Sequence, residues 1–451
     1  MKKRFYMMLA ASALLTVACG NGDDTGDGNA VDDDAAADEE VAVDDDSEEE
    51  VVEGDSDEVI RVAWWGGQER HDMTLEAIEL FTEETGITVE TEFTGWDGYW
   101  ERLNTQAAGS NLPDVIQMDN SYLNEYDSNS LLVDLQTYID DGTIDMSDVD
   151  DVYQEILEVD GRTLGISAGA NALAVIYNAE LAEEHGIDMS PGFTYEDLYE
   201  INLEVKEAIE ADGGEFHGYD FANAEYELFT NFARQHGESF YNEEGDGLGF
   251  ETSTLTDFFE WVQRMVADGA APTHDIMLTY SEGGESMVQD GTAVMRTAAS
   301  NQLIGDQQGS EYELDVTVLP SLDGEHANFI RPSMSWSITE QAEEVDAAAQ
   351  FINFMTNSLE ANEILQGERG VPISGVVRDH ISDIVGDSTR KTFDYLEVVA
   401  DYTAPADPIS PPGETEVRGS FLRVIEALKY EQVTPEEAAE QFVNEANGIL
   451  N

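Results

Sequence analysis

Trp64-Trp65-Gly66-Gly67 and Trp96-Asp97-Gly98-Tyr99-Trp100 crowd indoles, a phenol and small residues into two short segments, and Asp119 follows. These residue types recognise better than they react. Aromatic faces stack on the C–H faces of sugar rings, and each indole adds one N–H donor. Carboxylates, amides and guanidiniums pair with hydroxyls, and adjacent glycines let backbone N–H groups approach a ligand closely. Alternation along a strand sends one tryptophan of the first pair, Trp64, to the core and leaves Trp65 facing a ligand. No nucleophile elbow, phosphate-binding loop or HExxH helix is present, and the seven histidines, among them His71, His185 and His274, show no metal-ligand spacing. Paired carboxylates, which a glycosidase needs, are everywhere in so acidic a chain and discriminate nothing.

The elements that must position these residues are legible around them. Ile60 to Trp64 reads as a strand. Asp72 is placed to cap a helix whose apolar positions Leu75, Ile78 and Phe81 recur at helical spacing, and Gly86 to end it. Ile87, Val89, Thr91 and Phe93 alternate as a half-buried strand, Gly95 and Asp97 open a second helix through Trp100 and Leu103, and Pro113 introduces the strand Val115 to Met118. Two strand–helix units in succession predict an α/β architecture with mostly parallel sheets. Ligands of such sheets gather outside the carboxyl ends of the strands, where Gly66-Gly67 and Asp119 stand.

The 451 residues are too many for one compact core and suggest two to three domain-sized units, with an ordinary 41% of hydrophobic residues to fill them. The formal charge is −79. Between Gly20 and Glu58 lie 19 of the 98 acidic residues, leaving 79 against the 16 Lys and Arg beyond Glu58, a balance near −63. Repulsion of that size is relieved by concentrated salt, so a salt-adapted, halophilic surface is expected. Nucleic acid and anionic lipid are excluded as partners of such a surface.

Lys2-Lys3-Arg4 followed by an apolar run from Phe5 to Val17 reads as a secretory signal peptide over 1–18, too short to span a bilayer comfortably. Cys19, the single cysteine, follows Ala18 and precedes Gly20, which resembles the lipidation site of bacterial lipoproteins; Thr16 stands where that pattern usually carries Leu. A lone cysteine excludes an internal disulfide. Residues 19–58 carry no aromatic side chain and are expected to form a disordered acidic tether. Asp23, Thr25, Asp27, Gly28 and Asp34 fall at calcium-loop spacing there, a match that arises by chance in such a run, and no metal is expected. No later stretch of about 18 apolar residues offers a membrane span.

RVAWWGGQERH (61–71), TGWDGYWERL (94–103), LPDVIQMD (112–119), NALAVIYN (171–178), VRGSFLRVIEAL (417–428) and TPEEAAEQFVNEANGIL (434–450) resemble, in this order, the family 1 extracellular solute-binding proteins of sugar ABC importers. The similarity runs from Val59 nearly to the C-terminus, and within the family it is to the branch that binds oligosaccharides or uronic-acid saccharides. It implies a maltose-binding-protein-like, two-lobed periplasmic-binding-protein fold with a hinge, several crossovers and a ligand cleft between the lobes. Crossings are expected near Ala174 to Tyr177, Val316 to Pro320 and Ser337 to Thr339. Lobe one would then be 59–173 plus 321–336, and lobe two 174–320 plus 337–451. The implied partners are a saccharide and the transmembrane subunits of an ABC permease, for a monomer with no cofactor, lipid-anchored on the extracellular face and touching the membrane only through that anchor.

The resemblance carries ligand contact to Trp65, Gly66, Gly67, Arg70, Trp96, Asp119, Asn171, Asn301 and Trp336. Arginine supplies the clue to substrate class, because Arg70, Arg296, Arg331 and Arg369 fall beside cleft segments in a chain with few cations. A guanidinium matches carboxylate geometry bidentately, which suits a uronate. The competing class is a surface-anchored glycoside hydrolase or lyase; turnover of a bound sugar would distinguish it from stoichiometric retention with lobe closure.

Overall fold

A computed structural model describes residues 48–451 apart from 150, 155–156, 160, 223, 243–244, 284–285, 405–410, 412 and 451. The signal peptide, Cys19 and the calcium-like spacing lie outside the described residues. Ten strands follow in chain order: β1 Glu48–Val52, β2 Val59–Trp65, β3 Thr88–Thr94, β4 Val115–Met118, β5 Glu158–Val159, β6 Arg162–Thr163, β7 Ile166–Asn178, β8 Met295–Ala299, β9 Leu314–Thr317 and β10 Ile330–Ile338. Eight of them form one sheet in the order β1-β3-β2-β4-β10-β7-β8, with β9 also paired to β7. Only β2 runs parallel to its neighbours β3 and β4; the other pairings are antiparallel. The expected mostly parallel sheet is therefore confined to the first strand–helix units, where helical crossovers return the chain in the same direction.

Those units follow local sequence closely. The helix α1, Gln68–Thr85, ends at Gly86, whose φ of 77° is a left-handed conformation that glycine adopts without strain and whose N–H reaches Thr82 O. It begins a turn earlier than expected, with Gly67 rather than Asp72 at its N-cap, so that Arg70 and His71 project from its first turns. The next helix, α2, spans Trp96–Ala108 after Gly95, and α3, Asn120–Ser128, follows β4 directly.

Two apolar cores mark the two lobes. One gathers Ile60, Ile78 and Phe81 with Trp336, Phe351, Leu396 and Val399; the other gathers Leu198, Phe229, Phe258 and Leu319 with Phe421, Leu428 and Phe442. The thirteen-residue strand β7 serves both, since Ile166 to Ala172 pair with β10 and Leu173 to Tyr177 pair with β8. Its partner strand changes between Ala172 and Leu173. The second crossing follows β9, where Val318 joins the first core and Leu319 the second.

The third crossing is a correction. Ser337 and Ile338 continue β10 against Ile116 and Val115 of β4, and helices Val345–Asn357 and Asp387–Ala400 pack on the first core. Residues up to Thr403, which bridges Asn328, stay with lobe one, and the second lobe regains the chain at helix Glu414–Lys429. The boundary 337–451 for lobe two was drawn too early, because a strand that carries on into the same sheet reads like one that leaves it.

The tether boundary also moves. Glu48–Val52 is an edge strand, antiparallel to β3 from Glu48↔Phe93 to Val52↔Val89. Thr91 Oγ1 both accepts from Glu50 N and donates to Glu50 O, and Glu49 ion-pairs with Arg102. Backbone pairing and countercharge hold a segment whose composition alone argues for disorder. Among the described residues no helix is long and apolar enough to cross a membrane.

Candidate functional site

At the carboxyl end of β2, Trp65 is only 7% exposed, because Trp96, Tyr99 and Trp100 close around it at centroid distances of 5.0, 5.3 and 5.6 Å. Trp100 in turn stacks on Tyr122 at 3.8 Å. The open face of the cluster belongs to Trp96, 41% exposed, so Trp65 supports the platform and Trp96 presents it. Trp64 is fully buried, stacked on Phe93, and its Nε1 donates to His71 Nδ1 at 3.0 Å. Burial, with Arg70 and Arg369 nearby, lowers the pKa of His71. Gly66 N–H is already given to Thr94 O, whereas Gly67 is exposed with open space beside it. Asp119 caps α3, its Oδ1 accepting from Ser121 N at 2.9 Å and from Ser121 Oγ at 2.5 Å.

Beneath the platform lies a charge cluster rather than a ligand surface. Arg70 Nε donates to both oxygens of Glu368 at 2.8 Å and its Nη1 to Trp65 O at 3.2 Å. Arg369 is 5% exposed; its Nε reaches Gln117 Oε1 at 2.9 Å, its Nη2 reaches Thr74 Oγ1 at 2.8 Å, and it lies 5.1 Å from the Trp336 ring. Desolvation, with Arg70 nearby, pushes its pKa down to about 9, which leaves it charged at neutral pH. Arg369 therefore belongs to lobe one and does not close over the cleft from lobe two. Trp336, 1% exposed against Phe351, is core rather than a second stacking face. Helical packing on that side of β10 buries it.

A cavity lies elsewhere. Its volume is about 560 Å³, and it is lined by Leu173 of β7, Arg331 of β10, and second-lobe residues that include Glu227, Ser286, Arg296, Gln302 and Asp306. The size suits a small ligand. Arg296 Nη1 donates to Asp306 Oδ1 and Oδ2 at 3.1 and 3.3 Å, and its Nη2 to Gln302 Oε1 at 2.8 Å. Asp306 also accepts from Ser286 Oγ at 2.9 Å; burial raises its pKa while Arg296 opposes the rise. Arg331 differs from every other cation beyond Glu58. It is exposed and, among the described residues, its guanidinium has no hydrogen bond or ion pair. A register shift just after Pro332 accompanies its placement, as bulges re-aim side chains.

The site residues expected from the sequence thus fall into three groups. Trp65, Gly66, Gly67, Arg70 and Trp96 share the first-lobe corner, with Asp119 turned to its helix; Arg369 and Trp336 are internal. Asn171 pairs directly with Arg331 in the β7–β10 register, buried and with Oδ1 unpartnered among the described residues. Asn301 is exposed at the N-cap of helix Gln302–Gly309, beside the cavity wall. Glu227, Ser286, Gln302 and Asp306 were missed. A strand end feeding a helix at β8 was a usable signal for Gln302 and Asp306, whereas nothing local marks Glu227.

Comparison with known proteins agrees with the two-lobed fold. Residues 76–383 match the bacterial extracellular solute-binding protein family. A solved extracellular solute-binding protein of family 1 from Alicyclobacillus acidocaldarius is 26% identical with a TM-score of 0.77, covering 88% of this chain and 100% of that one. A periplasmic oligogalacturonide-binding protein from Yersinia enterocolitica, solved with saturated digalacturonic acid, is 23% identical with a TM-score of 0.69, covering 87% and 98%. Curated relatives from Brucella abortus, named only as binding proteins, are 24% identical over 237 residues, 51% of this chain, and the match spans about half, 55%, of their own length. With its α/β lobes joined through β7 and a cavity at that junction, the chain belongs to the bacterial extracellular solute-binding proteins.

Proposed function

We propose that this chain is the capture component of a carbohydrate ABC importer and that its ligand is an acidic saccharide. The observation that carries the reading is Arg331: in a chain of net charge −79, a guanidinium that faces a cavity with no side-chain partner among the described residues is a receptor for a ligand anion. Trp96 offers a stacking face from the first lobe, and the likeness to a protein solved with digalacturonic acid supports the class. The ligand bridges the lobes and favours their closed arrangement, so that binding is reported as a shift in a hinge equilibrium. Lipid anchoring through Cys19 on the extracellular face, and delivery to permease subunits, complete the reading. No turnover accompanies capture.

Calorimetric titration with neutral and uronic oligosaccharides, paired with small-angle scattering, tests it. Stoichiometric binding of uronic ligands with a fall in radius of gyration is expected. Binding of neutral sugars alone sinks the acidic class, and release of cleaved products sinks the capture reading.

A further inference from the structure

Three of the four charged groups lining the cavity already have protein partners. Arg296 is held by Asp306 and Gln302. Glu227 accepts from Arg418 Nη2 at 2.6 Å through Oε1, and its Oε2 is buried without a hydrogen-bond partner among the described residues. Among the described residues, the Arg331 guanidinium alone is uncommitted. The described walls therefore hold one free cation and several acceptors.

We propose that the cavity takes an oligosaccharide carrying a single carboxylate, its neighbouring sugar unit being neutral; this rests on the acidic-saccharide reading above and narrows it. One carboxylate matches one guanidinium in two parallel charge-assisted bonds. A second carboxylate in the same cavity meets Asp306 and Glu227, which are like charges. Arg296 adds no net positive charge for it, because it already balances Asp306, whose side chain is nine-tenths buried and depends on that countercharge. A neutral unit has no such conflict, because its hydroxyls donate to Asp306, Glu227 and Gln302. The selectivity is by exclusion as much as by attraction.

The test is calorimetric titration of the full chain with three disaccharides, in both gluco and galacto configurations: a neutral hexose pair, one hexuronate joined to a neutral hexose, and a pair of hexuronates, digalacturonate in the galacto series. The singly acidic ligand is expected to bind about tenfold or more tighter than either other, the scale of one charge-assisted contact. Arg331→Gln is expected to bring it down to the neutral ligand's affinity, and Asp306→Asn, by releasing Arg296, to strengthen binding of the doubly acidic one. A wild-type chain that prefers the doubly acidic disaccharide overturns the single-carboxylate inference and leaves the acidic-saccharide reading standing. Preference for the neutral pair, or no binding at all, overturns both. The wild-type ranking decides the matter even where Asp306→Asn fails to fold.

Discussion

Arg369 and Arg331 are both arginines beside the two-lobed junction, yet the first-lobe corner consumes one and the cavity leaves the other free. Arg369 holds α1 to β4 through Thr74 and Gln117, whereas the Arg331 guanidinium makes no hydrogen bond or ion pair among the described residues. The difference teaches that in a chain so poor in cations, function is marked by the charge that the fold does not use. Ion pairs elsewhere follow the same logic: Lys429 and Glu225, at 2.6 Å and both buried, tie helix Glu414–Lys429 to helix Glu225–Gln235 within the second lobe.

The contrast is open to direct attack. Lys429→Met strands Glu225 in the core and is expected to destabilise the chain by about 3–5 kcal/mol in urea unfolding. Arg369→Ala, which unpairs Gln117 and Thr74 and opens space beside Trp336, is expected to lower stability by about 3 kcal/mol. A change under about 1 kcal/mol would place Arg369 outside the load borne by the first lobe. Arg331→Gln is the counterpart: uronic-ligand binding weakens by about 1.5–3 kcal/mol while urea stability stays within about 0.5 kcal/mol. Equal loss of stability in both arginine variants would erase the distinction. Trp96→Ala should weaken binding by about 1 kcal/mol with an unchanged melting curve, read by titration and by circular dichroism.

The smallest effect concerns pH. The pKa of Asp306 is raised in the fold above its ordinary value, so the folded chain holds this proton more tightly than the unfolded one. Its contribution to stability rises as pH falls through the raised pKa, opposite to the usual paired carboxylate. Protonation also loosens its hold on Arg296. Affinity for doubly acidic ligands is therefore expected to rise on mild acidification in wild type, and titrations at stepped pH should show the trend vanish in Asp306→Asn.

Local elements were legible because their determinants are neighbours in the chain. Val115 to Met118 is a strand as its apolar run and Pro113 implied, Gly86 ends α1, and Gly95 precedes α2. The core place of Trp64 followed from alternation. Trp65 shared the same strand end but is covered by α2, whose aromatic side chains fold back over β2. A helix start gives the Asp119 carboxylate a partner, and a helix layer buries Trp336. Glu48–Val52, expected as tether, gained its structure from β3, a partner some forty residues away in sequence.

By itself the sequence determined the charge surplus, the strand–helix alternation, the Trp-Gly segments and the family resemblance, all of which are properties of composition or of adjacent residues. Tertiary structure alone decided which of the described cations are consumed and which is left free. Arg70 meets Glu368 across 298 positions, Arg369 meets Gln117 across 252, and Lys429 meets Glu225 across 204. Such pairs are fixed by burial and chain closure, not by local pattern, and the free Arg331 is what remains once they have formed.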